Sequence, residues 1–156
     1  MVNYAPITGD SPFTAATELT PAALARHVAL YVYSPIALVN AVLPGMLERG
    51  SGAVLIGQGG SAANPAPYLS GVGPAMAATR NYVYSLHGEV ADKGVHVGTI
   101  TISAMIRGST GATALDEESI KARGIPTVEP AVLADLLRDM TVKRDRVEVT
   151  WPPAAD

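Results

Sequence analysis

Residues 70–103 read SGVGPAMAATRNYVYSLHGEVADKGVHVGTITIS, and the fold turns on how this stretch divides. Pro74 suits the first turn of a helix, where a missing N–H costs nothing. From there to about Asp92, Met76, Val83, Leu86 and Val90 fall on one face and Arg80, Tyr84 and His87 on another, the spacing of an amphipathic helix. GVHVGTITIS then reads as a buried strand. A helix feeding a buried strand is one half of a parallel crossover unit.

The same alternation extends both ways. Residues 2–6, VNYAP, read as a short strand ending in a turn at Pro6. Thr20 stands at a helix N-cap with Pro21 at the first helical position. Apolar residues at helical spacing carry this helix to about Arg49, with a kink expected at Pro35 and termination in ERGSG. AVLIG (53–57) is a short apolar run between glycines, suited to a strand covered on both faces. GQGGSAANPAPYLSGVG reads as a long loop. Downstream, LDEESIKARG reads as a short acidic helix or flap, Pro130 opens an amphipathic helix through AVLADLLRDM, and RVEVTW reads as a last strand closed by Pro152 and Pro153. Strands alternating with helices argue for an α/β fold with a parallel sheet and helical crossovers.

Composition narrows the function classes. The chain has 156 residues, enough for one domain with a real core; it is 48% hydrophobic and 16% charged, with a mean hydropathy of +0.23. No apolar run reaches the length of a membrane span. The richest stretch, HVALYVYSPIALVNAVLPGML, is interrupted by Ser34, Pro35, Asn40 and Pro44 and reads as a buried helix. The surplus apolar surface is assigned to subunit contacts, so a homo-oligomer is expected. No secretory leader is apparent. The absence of cysteine removes disulfides and thiolate metal sites and fits a cytoplasmic protein. A net charge of −3 without a basic stripe argues against nucleic acid. The richness in Gly, Pro and Ala suggests a GC-rich bacterial source.

The order of elements, together with VLPGMLERGSGAVLIG and LHGEVADKGVHVGTIT, resembles the later half of the short-chain dehydrogenase/reductase family, over nearly the whole chain from VNYAP to RVEVTW. The resemblance implies a partial Rossmann-like, doubly wound parallel sheet of about four strands with flanking helices. It also implies a single domain, 1–156, without the dinucleotide-binding half. The family's Gly-rich pyrophosphate turn would fall upstream of Val2. The chain alone is therefore expected to bind no cofactor, and NAD(P) only if a cofactor half is supplied. Family-equivalent cofactor contacts would be Asn3, Ala5, Ile102 and Ser103; the last two stand where the family usually has Pro-Gly.

The family's catalysis uses Asn, Ser, Tyr and Lys. Aligning Pro44 puts the Asn position at Tyr31. Aligning SLHGEV puts Tyr at Val72 and Lys at Met76, and counting back puts Ser at Gly59. Valine exchanges no proton and methionine carries no charge. General acid–base work contributes roughly 10²–10⁴-fold, so ordinary family turnover should be crippled. Some divergent members blur the same motif, which keeps an altered reaction open.

Other motifs are weaker. IGQGGSAA (56–63) follows a strand, but a phosphate cradle needs a helix directly after it, and a pocket rim fits better. Ser61 grazes a nucleophile elbow without its last glycine. Tyr68, four residues before the family's Tyr position, is a candidate acid with Ser61 or Ser70 beside it, or a half-buried lid residue. His27, His87 and His96 have no metal spacing. DEES (116–119) and KRDR (143–146) read as solvated charge. Losing the first half would leave residues 2–5 as a bare edge and strip one sheet face of helices. The expectation is a degenerate, oligomeric protein that binds a small apolar molecule or acts as a scaffold. The alternatives are an oxidoreductase whose cofactor half comes from a longer chain or a partner, and a non-redox enzyme using Ser61 and Tyr68.

Overall fold

The computed structural model describes residues 1–4, 13–109, 117–122 and 124–153. In chain order they form β1 (Val2–Tyr4), α1 (Pro21–Val28), a π-helical turn (Ala29–Tyr33), α2 (Ser34–Glu48), β2 (Gly52–Gly59), α3 (Val72–Val90) and β3 (Val95–Ile102). Then follow β4 (Met105–Ile106), α4 (Glu117–Ala122), β5 (Thr127–Val128), α5 (Pro130–Lys143) and β6 (Glu148–Trp151). The main sheet is parallel in the order β1-β2-β3-β6. The expected α/β architecture of about four parallel strands with flanking helices is what the chain forms.

Register decides which side chains share a face. Asn3 pairs with Ile56, Ile56 with Thr99 and Thr99 with Glu148, so alternate residues from these line one side of the sheet. On that side Val54, Ile56, Val95 and Val97 form a core with Val39 and Met46 of α2 and Val83, Leu86 and Val90 of α3. On the other, Ile100 and Ile102 pack with Val149, Trp151 and Leu133 of α5. β3 is buried along its whole length, the mark of a central strand covered on both faces.

Several expectations are corrected. The strand at 53–57 runs from Gly52 to Gly59, and a 3₁₀ turn (Gly60–Ala62) replaces the start of the expected loop. α3 begins at Val72, so Pro74 lies within the first turn, which still needs no N–H from it. The acidic helix is described over Glu117–Ala122; Leu115, Asp116 and Arg123 of the expected segment lie outside the described residues. The small parallel pair β4–β5 was not foreseen, being two residues long on each side. Pro6 lies outside the described residues.

The long N-terminal helix departs most. It is continuous from Pro21 to Glu48, long and apolar enough to cross a membrane by length and composition, and only 17% of its most apolar window is buried. Ser34, Pro35, Asn40 and Pro44 do not break it. Nor is it the buried helix that its composition implied; no residue of α1 is buried. The sheet face expected to lie bare is, conversely, largely covered. Leu55 and Ile100 are buried, and Leu55 and Met140 of α5 close over Gly98. Val2 on the edge strand is the exposed exception.

Candidate functional site

In open α/β sheets, ligands bind at the carboxyl ends of the strands. Here that end gathers Tyr4, Gly59, Ile102 and Trp151, and beside it the first turns of α3 meet the π-helical turn. The π turn has a local cause. Pro35 has no N–H to give Tyr31, its i−4 partner, and the Ser34 N–H bonds to Ala29, five residues back. Widened turns of this kind often mark functional positions. The Tyr31 carbonyl accepts instead from the Thr79 hydroxyl of α3, which ties the two helices together. The Tyr31 ring is buried and stacks on His27, centroids 6.3 Å apart.

Val72 is fully buried, and Met76 is 3% exposed. With Tyr31, Ala62 and Ala75 they form a small apolar cluster, which Leu30, Val32 and Leu69 extend. The Met76 thioether accepts from the Gly59 N–H at 3.3 Å, so its side chain reaches to the end of β2. Helix start and loop are held close: a Cβ at Gly71 would meet the His27 ring at 2.7 Å, and one at Gly60 would lie 2.0 Å from Ser103 Oγ. The positions that the resemblance gives to tyrosine, lysine and serine thus hold a valine, a methionine and a glycine packed together.

Next to them lies a cavity of about 10 Å³, lined by Asn3, Tyr31, Pro35, Ile56, Gly57, Gln58, Met76 and Thr79. Three residues singled out from sequence, Asn3, Tyr31 and Met76, therefore converge, and Gly59 touches Met76. Gln58 and Thr79 were missed. Gln58 is 3% exposed and donates from Nε2 to Thr99 Oγ1 at 2.7 Å; the Thr99 hydroxyl donates to the Ile56 carbonyl at 2.8 Å. Its signal was in the sequence: it follows Val54 and Ile56 at strand period, a polar residue at an inward position. Ending the strand at residue 57 hid it.

The remaining candidates lie elsewhere. Ser61 is buried in the 3₁₀ turn, against Gly73 at the start of α3. Tyr68 does not line the cavity; it is 65% exposed and adopts a left-handed φ of 66°. Ile102 is buried in the α5-side core. Ser103 is exposed, and its backbone N–H bonds to the Trp151 carbonyl at 2.6 Å. Ala5 lies outside the described residues. Among the described residues no three His, Asp or Glu side chains are grouped to hold a metal.

One turn beyond Met76 the helix changes character. Glu148 on β6 accepts from Arg80 Nε (3.0 Å) and Nη2 (2.6 Å), Tyr84 Oη (2.7 Å) and Thr101 Oγ1 (2.6 Å). Arg80 also lies over the Tyr84 ring, 5.1 Å from its centroid. Burial by itself pushes the Glu148 carboxyl up, but hydrogen bonds from Arg80, Thr101 and Tyr84 outweigh it and hold the group below the usual range. Burial, with Glu148 as acceptor, pushes the Tyr84 phenol up. A carboxylate held by three side chains in this way is a clamp between α3 and β6.

No family model matches the chain, and no curated protein does. Solved structures do. A short-chain oxidoreductase from Pseudomonas aeruginosa PAO1, solved with NADPH bound and described as containing an atypical catalytic center, superposes with a TM-score of 0.78 at 21% identity, over 99% of this chain and 65% of its own. A 7α-hydroxysteroid dehydrogenase complexed with NADH and 7-oxo glycochenodeoxycholic acid matches at 0.78 and 19%, over 96% and 60%. A 3-oxoacyl-[acyl-carrier protein] reductase with bound NAD from Brucella melitensis matches at 0.75 and 19%, over 99% and 62%. The chain has the short-chain dehydrogenase/reductase fold and spans less than two thirds of the length of each of these proteins.

Proposed function

We propose that this chain, built on the short-chain dehydrogenase/reductase fold, is an oligomeric member of that structural class whose acid–base centre has been replaced by packing. In this reading it does not by itself carry out tyrosine–lysine hydride transfer; it serves as a scaffold or small-molecule-binding subunit. The observation that carries the reading is the state of residues 72 and 76: both are buried, one carries no polar atom, and the other's sulfur is occupied by Gly59. Neither can donate to a nicotinamide ribose or hold a proton for a substrate carbonyl. The cavity beside them, about 10 Å³, has room for about one water. Residues 72 and 76 thus offer a nicotinamide neither a hydrogen-bond donor nor a charge.

Self-association is supported by the two long helices. The exposed side of α1, the π turn and α2 runs Ala22, Ala25, Ala29, Tyr33, Ala37 and Ala41, and that of α3 runs Pro74, Ala78, Asn81, Ser85 and Gly88. Such faces are mostly small residues, with Arg26 and Glu89 as the charges beside them, and let a second helix approach closely. A second copy of the chain is the occupant we assign to them, ahead of a membrane or nucleic acid, and the cytoplasm is the compartment we assign.

A second reading is favoured by one comparison: the NADPH-bound Pseudomonas oxidoreductase has both this fold and an atypical centre. There the chain would act as an oxidoreductase once a dinucleotide-binding half is supplied, within a longer protein or by a partner. The two readings separate in one experiment, a fluorescence titration with NADH and NADPH alongside sedimentation of the same sample. A folded oligomer without saturable binding at millimolar cofactor supports the first reading. Saturable binding overturns it and supports the second.

A further inference from the structure

The hydrogen-bond order around Gln58 determines what its neighbouring cavity accepts. A carbonyl can only accept, so the Thr99 hydroxyl spends its proton on Ile56, and its oxygen is left to accept from Gln58. The Gln58 nitrogen must therefore face Thr99, and Oε1 faces away from it. That oxygen is buried and has no hydrogen-bond partner among the described residues, while the residue lines the cavity beside Tyr31, Met76 and Thr79. Thr79 has likewise committed its proton, to the Tyr31 carbonyl, and shows the cavity an oxygen that accepts. Among the described residues no carboxylate lines the space, so none of them offsets the desolvation of a cation. The chemistry called for is a neutral hydrogen-bond donor, and about 10 Å³ is roughly the room one water needs.

We infer that the cavity between Gln58, Thr79 and Met76 is a hydroxyl-binding site. It holds one water on Gln58 Oε1, and the hydroxyl of a small alcohol takes that place when the Met76 side chain yields. Met76 is the movable wall: an unbranched, flexible thioether standing between the cavity and Gly59 at the strand's end. The inference rests on geometry alone and holds whether or not the chain takes part in hydride transfer.

A crystal structure at a resolution that shows ordered water tests it, with native crystals compared with crystals soaked in ethanol. The expected native result is one compact density peak at hydrogen-bond distance, about 2.6–3.2 Å, from Gln58 Oε1. With ethanol the peak should lengthen toward Met76 and the Met76 side chain should shift. An unchanged peak after the soak overturns the alcohol half and leaves a water site. No peak, or a Gln58 amide turned to another partner, overturns the site itself. Gln58→Met, which keeps length and removes the acceptor, should lose the peak; a peak that persists there also overturns the assignment to Oε1.

Discussion

Val72, Met76, Arg80 and Tyr84 stand four residues apart on α3, a single stripe of one helix, yet the two halves of that stripe behave oppositely. The first pair is apolar and sealed, in the place where the family resemblance expects tyrosine and lysine. The second pair is polar and partly exposed, and it closes on a carboxylate with four hydrogen bonds. The difference lies in what each half faces. Val72 and Met76 look onto Tyr31, Ala62 and the end of β2, which offer no charge. Arg80 and Tyr84 look onto Glu148 of β6. The ionic chemistry of this helix thus serves cohesion between α3 and the sheet, and the first turn of the helix carries none.

The sharpest attack on this comparison is to charge the sealed half. Met76→Lys places an ammonium where the neighbours offer one backbone N–H and apolar carbon. It should destabilise by on the order of 3 kcal/mol in urea unfolding, and more at lower pH as the buried amine is forced to protonate. A neutral effect would mean the centre is open to water and the two halves are alike.

The converse change strips the polar half. Arg80→Ala leaves the Glu148 carboxylate with Tyr84 and Thr101 alone. Because Arg80 is a third exposed, water compensates in part, and a loss of about 2 kcal/mol is expected by the same measurement. A loss below a few tenths would reduce the clamp to a surface contact.

The smallest effect is in pH dependence, and it separates the clamp from a third site. His96 is buried with Nε2 unpartnered, its ring edge-on to His87 at 5.8 Å. Burial first, then His87 and Arg144, hold it below the ordinary histidine value of 6.5, with Asp145 opposing. The folded state therefore binds this proton less readily than the unfolded chain, so stability should fall as pH drops below 6.5. Glu148, held below 4.5, adds a second decline beneath that value for the same reason. His96→Leu should flatten the upper decline in a series of unfolding curves and leave the lower one. An upper decline that survives the substitution assigns it to another group.

Much of the fold was legible because it is written in local chemistry. Pro21 and Thr20 start a helix, and the Thr20 hydroxyl does cap Ala23. The apolar run AVLIG announced a strand covered on both sides, and Val54, Leu55 and Ile56 of β2 are buried in turn. Pro35 marked a defect in the long helix, though its form was not foreseen: a kink was expected, and the chain instead widened one turn and borrowed a donor from Thr79. The apolar character of the start of α3 was readable as residue types at Val72 and Met76. The cavity was not: strand period marks Gln58 as inward, but only the helix crossing brings Thr79 and Tyr31 to it.

What the amino-acid sequence determined by itself, then, is the alternation of strands and helices, the parallel sheet it implies, and the loss of titratable groups at residues 72 and 76. These follow from propensity, periodicity and side-chain chemistry, all of which act within a few residues. Tertiary structure alone decided that the most apolar helix would lie mostly uncovered, that Glu148 would collect Arg80, Tyr84 and Thr101 from two other elements, and that Gln58 would be left with an acceptor facing a space one water wide. Those outcomes depend on which strands become neighbours and in what register, and burial and hydrogen-bond satisfaction are properties of that assembled neighbourhood.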